Sequence, residues 1–220
     1  MGKNKKQVKK KYTFICEGQR EFLLLKYLAT RQYFDVWLSD KINKIISCRG
    51  GSADSIVLEA IKFSHTFPNL VVIFDQDFQE RAPISDDTLG ELQRLWKIDD
   101  SLKGVDYKDF LSKNPTNRNP VLIVSHPCSI EGFILRVFGR EYESLNGKST
   151  KQLKGEVVTL MNEVLENVDM DKEVKDLDGL TLDLQKYCVF LMKSDFLQKM
   201  CDARHRVPEC DILLKLFDIN

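Results

Sequence analysis

Five consecutive apolar residues, Leu70-Val-Val-Ile-Phe74, run without a break into Asp75-Gln76-Asp77. A strand with one wet face alternates apolar and polar residues, whereas an unbroken, β-branched run suits a strand covered on both faces of a parallel sheet. Three other stretches fit the same frame: Tyr12–Cys16, Lys44–Cys48 and Val121–Val124, each short, β-branched or aromatic, and bounded by turn residues. Helical patterns fall between them. Glu21–Thr30 places Phe22, Leu25, Leu28 and Ala29 on one face, Ser52 caps a segment reaching about Phe67, and Ser85 caps another reaching Trp96. Pro127 opens a fourth helix through Phe133, Leu135 and Phe138. Residues 99–120 read as irregular apart from a short helix around Tyr107–Leu111. Alternation of β and α predicts an α/β fold, a mainly parallel four-stranded sheet flanked by helices.

From Ser149 onward only helical patterns remain, near 149–167, 184–202 and 209–217. The expected organisation is therefore a basic tail (1–11), an α/β unit (12–140) and a helical appendage (141–220). With 43% hydrophobic residues in 220, the chain is long enough for a core, and general disorder is excluded. No apolar run approaches the roughly 20 residues of a membrane helix, and no leader-like segment follows the basic start. A soluble, cytoplasmic protein without membrane contact is expected.

The balance of 33 basic and 33 acidic residues conceals a division. Residues 1–11 hold six Lys and no acid, so the other 209 residues carry 27 bases and 33 acids, a net of −6. The tail is read as solvated and frayed, with phosphate contact as the alternative. Eleven acids against five Lys in 141–183 argue against a broad nucleic-acid surface there. The six cysteines contain no CxxC and read as reduced, mostly buried thiols. A zinc set of Cys188, Cys201, His205 and Cys210 is the alternative to plain helix packing for the last three cysteines, and packing is preferred because zinc sites use tighter Cys pairs.

Ligands of parallel α/β sheets collect beyond the carboxyl ends of the strands. The residues expected there are Glu17 after the first strand, Asp75 and Asp77 after the third, and Ser125, His126 and Glu131 after the fourth. Four of these six are carboxylates. Residues i and i+2 of an extended chain point to the same side, so Asp75 and Asp77 repel unless a cation lies between them. Hard oxygen donors favour Mg²⁺, which needs only one or two carboxylates per ion. A solvated loop is the plain alternative for that pair. Gly18 permits a sharp turn or a close approach, and Glu21 stands in the first turn of a helix, where the dipole favours an acid whether or not a metal binds. His126 reads either as a group that polarises water or a leaving oxygen, or as a loop histidine bonded to backbone. Arg49-Gly50-Gly51-Ser52 reads either as a phosphate cradle or as a loop with an N-cap.

The run Cys16-Glu17-Gly18-x-x-Glu21 after a strand, joined to Val72-Ile-Phe-Asp75-x-Asp77, resembles the TOPRIM fold of topoisomerases, primases and several nucleases. The further run Val124-Ser125-His126-Pro127-Cys128-Ser-Ile-Glu131-Gly-Phe133 is similar to a segment of RloB-like proteins, compact TOPRIM nucleases of phage defence and abortive infection. It departs from their pattern in placing Glu131 one residue further from the cysteine, and His126 where Asn is more familiar. The resemblance covers about residues 12–138 and implies that Glu17, Asp75 and Asp77 bind Mg²⁺, making 12–140 a TOPRIM-like catalytic domain. Nothing named resembles 141–220.

The expectation is a Mg²⁺-dependent endonuclease, with Mn²⁺ as a substitute, that hydrolyses phosphodiester bonds in RNA (transfer RNA being a family-level example) or DNA. Glu17, Asp75 and Asp77 would be catalytic and metal-binding, and Glu21 and Glu131 would serve a second ion. Ser125, His126 and Arg49 are candidates for acid/base work or contact with substrate phosphate. The resemblance implies a toxic defence effector restrained by a partner ATPase. This chain has no GxxxxGK[ST] motif, so the ATPase would be a separate subunit. Pairing into a homo-oligomer is a further expectation. The alternatives are a non-catalytic, TOPRIM-shaped metal-binding regulatory subunit and a Mg²⁺-dependent enzyme acting on nucleotides.

Overall fold

The computed structural model describes residues 11–30, 42–48, 50–76, 84–99, 101–102, 118–125, 127–175 and 177–219. The basic tail to residue 10, Arg49, Asp77, the segment Tyr107–Leu111 and His126 lie outside the described residues. The chain begins β1 (Tyr12–Cys16), α1 (Gln19–Thr30), β2 (Ile42–Ser47), α2 (Ala53–Ser64), β3 (Leu70–Asp75), α3 (Asp86–Trp96) and β4 (Val121–Ser125). Helices follow: α4 (Ile130–Val137), α5 (Tyr142–Leu145), α6 (Thr150–Leu165), α7 (Met170–Glu173), α8 (Leu182–Lys193), α9 (Phe196–Ala203) and α10 (Pro208–Phe217).

The four strands are parallel and ordered β2-β1-β3-β4, so β1 and β3 are the central pair. Their side chains alternate between the two faces of the sheet, as the period of two requires. Ile15, Leu70, Val72, Phe74, Leu122 and Val124 join α2 and α3 in one core. Phe14, Cys16, Val71, Ile73, Val121 and Ile123 join α1, α4 and the C-terminal helices in the other. A strand apolar on both faces is thus covered on both.

Helix starts follow their caps. The Ser52 hydroxyl accepts from the Ser55 N–H at 3.2 Å, and the Ser85 hydroxyl accepts from the Thr88 N–H at 3.3 Å. Ser149 and Gln152 form a reciprocal capping box at the head of α6. The helix after Ser52 ends at Ser64, short of Phe67, the short helices α5 and α7 are additional to those expected, and two further differences shape the packing. The helix expected from Pro127 begins only at Ile130, because residues 127–129 turn tightly, with Cys128 in the left-handed region (φ 65°) and the Ser129 N–H donating to the Pro127 carbonyl at 2.7 Å. Gly132 lies directly beneath this turn, where a Cβ would stand 2.0 Å from the Pro127 oxygen. The single helix expected over 184–202 is two, α8 and α9, broken at left-handed Asp195. That break lets Phe190 and Phe196, one on each helix, both pack on Phe138, with ring centroids 5.4 and 6.0 Å away.

Residues beyond 140 share a hydrophobic core with the sheet. Phe217 of α10 stacks on Phe14 of β1 at 5.0 Å, a contact of about 0.5–1.5 kcal/mol beyond area burial. Cys188 and Cys210 are buried members of this core. No helix among the described residues is long and apolar enough to cross a membrane.

Candidate active site

Parallel register brings the ends of β1, β3 and β4 to one edge. Sheet pairing continues past β1, where Cys48 N–H donates to the Cys16 carbonyl at 2.9 Å and Gly50 N–H to the Glu17 carbonyl at 2.8 Å. Glu17 is thereby fixed by its own backbone beside the loop after β2. Its Oε2 accepts the Asp75 N–H at 3.1 Å, joining the first and third strand ends. Asp75 and Ser125 are direct partners across β3 and β4. The Asp75 Oδ1 accepts the Ile130 N–H at 2.8 Å, so the carboxylate sits on the first N–H of α4, where the helix dipole favours an anion.

Glu21 and Glu131 come from the first turns of α1 and α4 and are nearly inaccessible, 4% and 1% exposed. Glu21 folds back over Gly18 and accepts its backbone N–H. A Cβ at residue 18 would stand 2.8 Å from the Glu21 carboxylate, so any larger residue there would displace that carboxylate from its present place. The helix-start role foreseen for Glu21 is therefore present, yet the side chain is also part of the acidic cluster. Glu131 Oε1 lies 2.7 Å from Nη1 of Arg20, whose Nη2 is 3.0 Å from Oδ2 of Asp183 on α8. The same guanidinium lies over the ring of Tyr187, 5.7 Å from its centroid.

The electrostatics follow from this crowding. Burial holds the Asp75 carboxyl well above the ordinary carboxylate range, and the charges of Glu21, Glu17 and Glu131 push it the same way. Burial likewise raises Glu21, with Glu131 adding to the shift and the Arg20 charge opposing it. Cys16, at the same strand end, has its thiol raised by burial and then by Glu21, which makes it unreactive. Tyr187 is fully buried with its hydroxyl unpartnered, and burial followed by Glu21 raises it well above the ordinary phenol range.

Glu17, Glu21, Asp75, Ser125 and Glu131 are thus brought to one strand edge, while Arg49, Asp77 and His126 lie outside the described residues. The Ser52 hydroxyl caps its own helix, the simpler of the two readings of that turn. No three His, Cys, Asp or Glu side chains among the described residues are gathered closely enough to hold an ion as they stand. The donor chemistry nevertheless fits Mg²⁺. All the acidic groups are hard oxygens, and Asp75 is destabilised as an anion by three neighbouring carboxylates, a situation a divalent cation relieves.

Sequence reasoning missed Arg20, Asp183 and Tyr187. Arg20 carried a signal: a cation in the first turn of a helix opposes the dipole and calls for a tertiary partner. Asp183 and Tyr187 carried none, since their role depends on α8 docking against α1. No protein-family model, no curated protein and no solved structure matches this chain.

Proposed function

We propose that this protein is a Mg²⁺-dependent endonuclease, with Mn²⁺ as a substitute, acting on RNA or DNA. The observation that supports this reading best is the meeting of Glu17, Glu21, Asp75 and Glu131 at the carboxyl edge of a parallel sheet, where burial and the charges of the other three raise the proton affinity of Asp75. Glu17 and Asp75, with Asp77 following, would hold the ion, and Glu131 and Glu21 would add negative charge for a second. Mg²⁺, when bound, supplies Lewis-acid chemistry to a scissile phosphate. The protein's own part is to keep the acids together. The Asp75 N–H orients Glu17 and the Ile130 N–H orients Asp75, so each carboxylate is aimed by backbone rather than by a mobile side chain. Asp75, which burial and its neighbours favour as the protonated acid, would have to be deprotonated to serve as a ligand. Ser125, buried beside Asp75, is within the same edge and is a candidate for contact with substrate phosphate.

The resemblance to TOPRIM and RloB-like nucleases extends this reading to a cytoplasmic, toxic effector of anti-phage defence, held in check by a separate ATPase and able to pair with itself. The decisive experiment incubates the full-length protein with labelled RNA and labelled DNA in Mg²⁺, Mn²⁺ or EDTA. Cleavage of a polymer that EDTA stops, and that Asp75→Asn lowers at least about a hundredfold (~2.7 kcal/mol), is the expected result. Turnover of nucleotides alone, or cation binding without turnover, would replace the nuclease by one of its two alternatives.

A further inference from the structure

We propose that Arg20 is a positioning residue of this site, a fork whose two arms tie Glu131 to Asp183 and make the C-terminal helices part of the catalytic apparatus. The inference rests on the nuclease reading and assigns a role to residues 141–220 within it. Arg20 reaches carboxylates 111 and 163 residues away, at 2.7 and 3.0 Å, one in the buried acidic cluster and one on the exposed start of α8. Its side chain is 15% exposed, so both the desolvated charge and its place in the first turn of α1 are unfavourable without these partners. Tyr187 supplies a flat shelf under the guanidinium and restricts its swing.

The geometry serves Glu131 in particular. With Asp75 and Glu21 close by, Glu131 has reason to turn away from the cluster, and a planar donor fork at 2.7 Å holds it in one orientation. Lysine has the charge but not the fork, and it cannot span two carboxylates in fixed directions. The helix that carries Asp183 and Tyr187 therefore sets where Glu131 points. A plain tie between α1 and α8 would also use an ion pair here, but it would be indifferent to the orientation of Glu131.

The test uses the full-length chain with Arg20→Lys, Asp183→Asn, Glu131→Gln and the Arg20→Lys/Glu131→Gln double variant. Mn²⁺ affinity is measured by calorimetry without nucleic acid, cleavage on whichever labelled polymer the wild type cuts, and folding by thermal unfolding. For Arg20→Lys the expected result is a kcat at least about thirtyfold lower with KM within about threefold, and Mn²⁺ binding about fivefold weaker. Asp183→Asn, at an exposed position, should give the smaller form of the same change, about threefold in kcat with an unaltered melting temperature. The double variant should be no worse than the poorer single one, since a Glu131 that is no longer held has nothing further to lose. Wild-type kcat and Mn²⁺ affinity in Arg20→Lys and Asp183→Asn would overturn the proposal and leave a structural tie. If Arg20→Lys fails to fold, Asp183→Asn alone decides. A wild type that binds Mn²⁺ but cuts neither polymer removes the nuclease reading only, and the Mn²⁺ affinities of the variants still judge Arg20. A wild type that binds no Mn²⁺ overturns both.

Discussion

Two buried ionic clusters lie on the same side of the sheet, and they are built on opposite principles. In one, Arg136 meets both carboxylate oxygens of Glu209 at 3.0 and 3.3 Å and also donates to the Arg206 carbonyl, while Arg206 returns hydrogen bonds to the carbonyls of Arg136 and Val137. Each charge also suits its helix end: Arg136 is in the last turn of α4, Glu209 in the first turn of α10. In the other, Glu17, Glu21, Asp75 and Glu131 crowd together, and Arg20, which pairs with Glu131, itself opposes the dipole of its helix. A cavity of about 10 Å³, walled by Glu21, Ser125 and Glu209 among others, separates the two, room for about one water. The balanced cluster obeys every local rule and ties helices together. The unbalanced one breaks several, and such violations collect where a protein binds or reacts.

The sharpest way to break the contrast is to unbalance the balanced cluster. Glu209→Met leaves Arg136 buried without its carboxylate and should cost about 3–5 kcal/mol in a urea unfolding curve. The Mg²⁺ dependence of cleavage should not change, and a shift in it would mean that the two clusters act as one. Glu131→Gln probes the other side. It should raise the Mg²⁺ needed for half-maximal cleavage about tenfold (~1.4 kcal/mol), and more Mg²⁺ should rescue it no further than the level of Arg20→Lys. Superimposable titrations would confine the site to Glu17, Asp75 and Asp77.

A smaller effect concerns stability without metal. Asp75 and Glu21 bind protons more tightly folded than unfolded, so the folded state holds more protons as pH rises above the ordinary carboxylate range near 4. The contribution of these two groups to stability in EDTA is then fully present below about pH 4 and is lost as pH rises through their raised pKa values. Asp75→Asn, which keeps an oxygen for the Ile130 N–H, should flatten that fall and stabilise the metal-free protein at neutral pH by on the order of 1 kcal/mol. Saturating Mg²⁺ should erase the difference. An Asp75→Asn variant whose stability follows the same pH profile as the wild type would contradict the crowding of the acids. The smallest effect is expected at Tyr187. Its buried hydroxyl has no partner, so Tyr187→Phe should raise stability by about 0.5 kcal/mol, and a marked loss in the same unfolding assay would reveal a bond that the hydroxyl makes.

Much of the α/β framework could be read in advance because its signals are local. The start of β3 at Leu70, the caps Ser52 and Ser85 and the end of α3 at Trp96 all coincide with features of the residues themselves. The delayed start of α4 was hidden, since the Pro127–Ser129 turn depends on Gly132 lying under the Pro127 carbonyl. The break between α8 and α9 was hidden for a similar reason: both halves have sound helical patterns, and only the shared packing on Phe138 requires them to part.

For the acidic edge, the sequence by itself determined which carboxylates follow which strands, because an apolar run ending in an acid marks the point where a buried strand leaves the core. Parallel topology then follows from the alternation of elements, and with it the meeting of Glu17 and Asp75. Tertiary structure alone decided that Arg20 would be the counter-charge of Glu131, that Asp183 and Tyr187 of α8 would hold it, and that Arg136 and Glu209 would neutralise each other. The physical reason is one of range. Strand, cap and turn preferences are set by neighbours along the chain, whereas the cost of a buried charge is set by whatever group packing brings within about 4 Å.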